Sequence, residues 1–110
     1  MATYYVSHAY GGKEENYNKA KEITRRLQVE RPQDCFICPL MAFSHLEYGE
    51  FGYDYEIELC LDLLSICDGL IVASKEISKG VQIEIDFAKM VDMEVIDLAE
   101  EHRKIQSVKV

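Results

Sequence analysis

Apolar residues follow two different spacings along the chain, and the two spacings alternate. Short runs of apolar or β-prone residues, which predict strands, lie at residues 4–7, 35–38, 70–73 and 94–96, and the run at 70–73 is continuously apolar, as in a central parallel strand. Helical spacing, with apolar residues every three or four positions, covers residues 13–28, 56–67 and 78–91. A short charged helix is predicted over residues 97–105. This alternation predicts a three-layer α/β/α sandwich with an open, mostly parallel sheet of four to five strands, of the Rossmann or flavodoxin-like type.

The helix predicted over residues 56–67 is apolar on two sides. Only Glu58, Asp62 and Ser65 are left to face water. Such a helix is expected to be buried against its own sheet and against a second copy of the chain. We therefore expect a homo-oligomer, a dimer or larger, with helix 56–67 at the interface.

Length and charge restrict the possible functions. The chain has 110 residues, 48% of them hydrophobic, which predicts a single domain over residues 1–110. Its net charge of −8 argues against a nucleic acid polymer or an anionic membrane as partner. No apolar run is long enough to span a membrane, and the N-terminus lacks the pattern of a secretion signal.

The four cysteines do not have the spacing of a metal site. Cys35 and Cys38 form a C-x-x-C, but on a strand, residues three apart point to opposite faces. Cys60 and Cys67 are seven apart on a helix and supply no second C-x-x-C. Small buried hydrophobes are the better interpretation, and they indicate a reduced, cytoplasmic protein without a bound metal.

Candidate binding loops follow the first and third strands, because ligands of open parallel sheets lie at the carboxyl ends of the strands. The first loop is residues 8–12. The second, residues 74–80, runs into the next helix, where Ser78 can cap the helix and Gly80 allows close backbone approach. Free N–H groups beside Lys79 make an anion site plausible. The alternative is a plain helix cap that binds nothing. The long stretch at residues 40–55 has no clear period, and such loops are often functional.

Glu84 is out of place in the hydrophobic pattern. Its helical neighbours are all apolar: Gly80, Val81, Phe87 and Ala88. A carboxylate on a buried face costs several kcal/mol unless it is paired or used. The alternative is a partly exposed side chain that reaches a lysine or a backbone N–H. Asp68, between helix and strand, is either part of a site or a turn residue that bonds backbone N–H groups.

Together, these residues resemble the nucleoside 2-deoxyribosyltransferase-like family over residues 4–97, most closely its short phage- and prophage-type branch. The N-terminal part of the resemblance consists of Tyr5-Val6-Ser7, Gly12, Asn16, Ala20 and Pro39. The more specific part begins at Cys67-Asp68 and continues, with the family's spacing, through Ile77-Ser78-Lys79-Gly80-Val81-Gln82-Ile83-Glu84 to Ala88.

The resemblance implies an enzyme that cleaves the N-glycosidic bond of a nucleoside or nucleoside monophosphate and needs no cofactor. Glu84 would be the nucleophile that forms a glycosyl-enzyme intermediate, resolved by water or a second base. Tyr5 and Asp68 would support it. The substrate would be held by Ser78, Lys79 and Gly80 at its 5′ end, and by His8 and Gly12. A neighbouring subunit would complete the site.

Three departures from the family pattern keep other functions open. Ala9 and Gly11 replace a serine and an arginine of the nucleotide hydrolases, and His8 replaces a glycine or serine. Cys60 replaces a helix aspartate, with Glu56 one turn earlier as a possible substitute. A non-catalytic nucleotide-binding or sequestering module is therefore the second hypothesis, and a purely structural oligomer is the third.

One further resemblance provides a minor alternative. The segment Val6-Ser7-His8-Ala9 is similar to the opening strand of Toll/interleukin-1 receptor domains, some of which cleave NAD through a glutamate. That alternative also puts the chemistry on Glu84.

Overall fold

The computed structural model describes residues 1–98, which form strands and helices in alternation. In chain order these are β1 (Thr3–Ser7), α1 (Glu14–Glu30), β2 (Cys35–Ile37), α2 (Pro39–Ala42), α3 (Tyr53–Ser65), β3 (Gly69–Val72), α4 (Lys79–Met90) and β4 (Glu94–Asp97). The charged helix predicted over residues 97–105 lies almost wholly outside the described residues. Its first residue, Asp97, instead ends β4.

The four strands form one all-parallel sheet in the order β2-β1-β3-β4. This confirms the predicted α/β class and the Rossmann or flavodoxin-like arrangement. The two central strands, β1 and β3, pair from Tyr4 opposite Gly69 to Ser7 opposite Val72. From these strands the chain crosses to opposite edges of the sheet, to β2 and to β4. The loops that leave their carboxyl ends therefore diverge, which opens a crevice between them.

Helices cover both faces of the sheet, because alternate strand residues point to opposite sides. One core layer lies between the sheet and helices α3 and α4, and consists mainly of Tyr5, Leu64, Cys67, Leu70, Val72, Val81, Ile85 and Ala88. The other lies under α1 and α2, and consists mainly of Val6, Ala20, Phe36, Cys38, Ile71 and Ala73. Both neighbours of Val6 on β1, Tyr5 and Ser7, thus face α4.

Helix α3 begins three residues before its predicted start, directly after Gly52, whose φ of +90° suits a glycine. Leu64 on this helix is completely buried. Leu61 and Leu63 are half-buried and pack against the same core layer. Leu63 belongs to the second apolar side of the helix, so the chain itself already covers part of that side. An oligomer interface on α3 stays a prediction.

The cysteines are all free thiols; Cys38 and Cys67 are buried, and Cys35 and Cys60 are partly exposed. No group of three His, Cys, Asp or Glu within residues 1–98 is placed to hold a metal ion. In the same range, no helix has the length and hydrophobicity needed to cross a membrane.

Leu64→Ala should destabilise the protein by about 2–5 kcal/mol, because it leaves a cavity in the core layer between the sheet and helices α3 and α4. Val29→Ala is the control, since Val29 is 64% exposed on α1 and should change stability by at most about 0.5 kcal/mol. Urea unfolding followed by circular dichroism measures both. Equal losses in the two variants would contradict the layer assignment.

Candidate active site

A cavity of about 500 Å³ opens at the carboxyl ends of β1 and β3. The backbone N–H of Ala9 donates to Ser74 Oγ at 3.1 Å, which ties together the loops that follow these two strands. The lining comes from the first loop, the segment before α3, helix α3 itself and the start of α4. Both loops predicted to bind a ligand therefore border the same cavity. The stretch at residues 40–55 borders it too.

Glu84 lies at the inner wall of this cavity and is only 5% exposed. Its Oε1 accepts a hydrogen bond from Ser7 Oγ at 2.7 Å, and its Oε2 accepts one from the Tyr5 hydroxyl. Burial raises the pKa of the Glu84 carboxyl above its ordinary value, while the two hydroxyl donors act in the opposite direction. The carboxylate is buried as the pattern predicted, but its partners are hydroxyl groups of β1.

The position of this carboxylate follows from the geometry of one strand and one helix. Tyr5 and Ser7 are two residues apart on β1, so their side chains point to the same face. Helix α4 packs on that face through Val81, Ile85 and Ala88. Glu84 shares the buried side of the helix, so it enters the core layer where the two hydroxyls lie.

Cys60, on α3, packs against the core layer that contains Tyr5. Burial, and then the negative charge of Glu84, raise the pKa of Tyr5 well above its ordinary value. Burial raises the pKa of Cys60 to about 11. Both groups are therefore protonated at neutral pH. The position where the family pattern has an aspartate is occupied here by a neutral thiol.

The first turn of α4 forms one side of the cavity. Ser78 Oγ accepts the backbone N–H of Val81 at 3.3 Å, so the serine caps the helix. The N–H groups of Lys79 and Gly80 have no acceptor within the helix, because the first turn lacks one. The Lys79 ammonium lies 5.2 Å from the centre of the Tyr53 ring. This corner offers backbone donors and one cation to a ligand.

The first loop contributes through its histidine and its glycines. His8 is 8% exposed and lines the cavity. Gly12 has a φ of +73°, and a Cβ there would lie 2.9 Å from the Tyr48 ring. Gly12 thus lets Tyr48 pack on the loop, with its ring edge-on to Tyr10 at 5.3 Å between centroids. The glycine itself is not among the lining residues, although Tyr48 is.

Asp68 is not in the site. Its carboxylate accepts the backbone N–H of Thr3 at 2.7 Å, and its own N–H donates to the Thr3 carbonyl. Both residues precede or begin their strands, so Asp68 lies at the amino end of the sheet, opposite to the cavity. The alternative interpretation, an acid that bonds turn N–H groups, describes its contacts. The prediction that it supports Glu84 is corrected by this placement.

Glu56 lines the cavity but has another task. Its carboxylate accepts the N–H groups of Gly49 at 3.1 Å and Phe51 at 3.2 Å, and so holds the turn before α3. It is therefore not a free replacement for the missing aspartate. Ser7 is the residue that the sequence did not single out. Its place two residues after Tyr5 is the signal that could have found it.

A scan against family models found no match for this chain, and searches of curated proteins and of solved structures found none either. The function is therefore inferred from the hydrogen bonds of Glu84 and from the cavity beside it.

Glu84→Gln should stabilise the protein at neutral pH. In the folded state the pKa of this carboxyl is raised, so folding favours its protonated form. Its contribution to stability is therefore most favourable below the unfolded pKa and is lost as pH rises through the folded pKa. An amide keeps two hydrogen-bonding partners and carries no charge. We expect a gain of about 0.5–2 kcal/mol near pH 8 and little gain near pH 4.

Melting temperatures of both proteins across this pH range test the expectation. Glu58→Gln, which changes an exposed carboxylate on α3, is the control and should leave the pH dependence unchanged. A melting-temperature difference between wild type and Glu84→Gln that is the same at every pH would contradict a raised pKa.

Proposed function

We propose that this protein cleaves the N-glycosidic bond of a nucleoside or nucleoside monophosphate, by hydrolysis or by transfer to a second base, with Glu84 as nucleophile. The observation that carries the proposal is a buried carboxylate, held by two hydroxyl donors, at the wall of a cavity of about 500 Å³. Buried acids of this kind are costly, and they concentrate at sites of chemistry. The sequence signature from Asp68 to Glu84 supports the same reaction.

The hydrogen bonds suit a nucleophile. Each carboxylate oxygen has two lone pairs, so the contacts with Tyr5 and Ser7 leave one on each oxygen for the anomeric carbon. The two donors orient the carboxylate and leave a lone pair on each oxygen for attack on the substrate. Its negative charge also stabilises an oxocarbenium-like transition state.

The first turn of α4 is suited to the 5′ end of the substrate. The N–H groups of Lys79 and Gly80 and the Lys79 ammonium would hold a 5′-phosphate. Glu84 lies four residues after Gly80, about one helical turn of 5.4 Å away. A nucleotide could thus present its phosphate to the helix start and its anomeric carbon to the carboxylate. The aromatic side of the cavity, with Phe43 and Tyr48, would receive the base.

A non-catalytic nucleotide-binding module is the second candidate. It is favoured by the neutral Cys60 thiol and by the use of Glu56 to hold a turn, since both leave the cavity without a second free inner carboxylate. The NAD-cleaving alternative uses Glu84 in the same role and differs in its substrate. A homo-oligomer in the cytoplasm, with α3 at the interface, completes the proposal.

Chromatographic detection of free base tests the proposed reaction. Wild-type protein should release base from at least one member of a panel of ribo- and deoxyribonucleosides and their monophosphates. Glu84→Gln should lower the rate by at least about 10³-fold, while Glu58→Gln should not. Nucleotide-dependent stabilisation without any free base would instead establish the binding module. No response of either kind would remove both candidates and favour the structural oligomer.

Lys79→Ala tests the phosphate end. Loss of one charge-assisted contact corresponds to about 1.5–3 kcal/mol, so KM for a nucleoside monophosphate should rise roughly 10-fold or more. KM for the matching nucleoside should hardly change. Lys89→Ala, at the other end of α4, is the control. An equal rise for both substrates would argue against a phosphate at this helix start.

A further inference from the structure

His8 is a buried residue whose ring has one nitrogen without a partner among residues 1–98. Its Nδ1 lies 2.7 Å from the carbonyl oxygen of Ala9. A carbonyl oxygen can only accept, so Nδ1 carries a hydrogen in both charge states of the ring. Among residues 1–98, no completely buried side-chain nitrogen or oxygen lacks a partner. Nε2 has no partner in this range, so it is not completely buried, and the cavity is the space that His8 lines.

This arrangement prepares Nε2 for proton transfer. With Nδ1–H held by Ala9, the neutral ring presents Nε2 as an acceptor, and the protonated ring presents it as a donor. Imidazole is the side chain that most readily gives and takes a proton near neutral pH. The contact with Ala9 also sets the orientation of the ring.

Several other proton-bearing groups in or beside the cavity are less suited to this task. Tyr5 donates to Glu84, and Glu56 accepts two backbone N–H groups. The Cys60 thiol and the Tyr53 phenol are both weakened as acids by burial, which raises their pKa values. Glu47 lines the cavity with an exposed side chain. His8 is the buried side chain that lines the cavity with a ring nitrogen left for a ligand.

We propose that His8 is the general acid that protonates the departing base, and that the site therefore takes N-glycosides of neutral nucleobases. This inference rests on the proposed function. A neutral base would leave as an anion unless it received a proton. A cationic base, such as nicotinamide in NAD or an N7-methylated guanine, leaves as a neutral molecule and needs none. His8 thus assists the departure of the first class of base and not of the second.

The reaction balances in two steps. A Glu84 oxygen bonds to the anomeric carbon as the carbon–nitrogen bond breaks, and the base nitrogen keeps the electron pair and takes the Nε2 proton of His8. Water then bonds to the anomeric carbon, Glu84 leaves as a carboxylate, and neutral His8 takes the proton of the water. His8 ends protonated, as it began, and the products are free sugar and free base.

The test compares the leaving groups. His8→Asn, whose amide can still donate to Ala9, and wild-type protein are each given the four common ribonucleoside 5′-monophosphates and their deoxy forms. They are also given two cationic counterparts, 7-methylguanosine 5′-monophosphate and nicotinamide mononucleotide. In the first turnover, before water attacks, we expect His8→Asn to slow base release about 10²–10⁴-fold on neutral substrates and less than about 10-fold on cationic ones. If no cationic nucleotide is cleaved, partial rescue of His8→Ala by added imidazole replaces that comparison.

The outcomes separate the two proposals. Equal losses on both classes, no loss on neutral substrates, or absence of imidazole rescue would each overturn the role of His8 while N-glycoside cleavage stands. Cleavage of cationic nucleotides alone would do the same, and would favour the NAD-cleaving alternative. Wild-type protein that cleaves no nucleotide or nucleoside would overturn the proposed function itself, and the role of His8 with it.

Discussion

The burial of one carboxylate between a strand and a helix is the constraint on which the rest of the site depends. Glu84 is inside the apolar layer between β1 and α4, where an unpaired charge is strongly disfavoured. The hydroxyls of Tyr5 and Ser7 offset part of that penalty, because each carboxylate oxygen accepts one hydrogen bond. Their positions are in turn set by the sheet. The fold and the reactive group are thus coupled through two hydrogen bonds.

The class of fold could be predicted from the sequence because the apolar pattern is local. The continuous apolar run around Leu70 and the helical spacing around Val81 each show, within a single element, which residues that element must bury. Strand order is not local in that sense, but alternation of strands and helices restricts it strongly. The short helix Pro39–Ala42 was missed, since four residues are too few to show a period.

The site could be predicted only in part, and the reason is again locality. Glu84 was found because its neighbours one turn away are apolar, a signal within a single helix. Its partner Ser7 was not found, because the pairing depends on which face of β1 meets α4. Asp68 was placed at the wrong end of the sheet. A residue directly before a strand of a parallel sheet lies at the amino end of that sheet, so the order of the chain already argued against the site. The assignment came from the family resemblance and not from the apolar pattern.

The spacing of the two hydroxyl donors has a consequence for how the chain folds. They stand two apart on β1, so a shift of that strand by a single residue would turn both to the opposite face and present Tyr4 and Val6 to α4. Glu84 would then have a tyrosine hydroxyl, that of Tyr4, but no second hydroxyl, because Val6 would stand in place of Ser7. One buried carboxylate oxygen would lose its donor, which is unfavourable. The charged group thereby penalises misregistered pairing of the central strands. The residue that we assign to chemistry therefore also favours the observed register of β1.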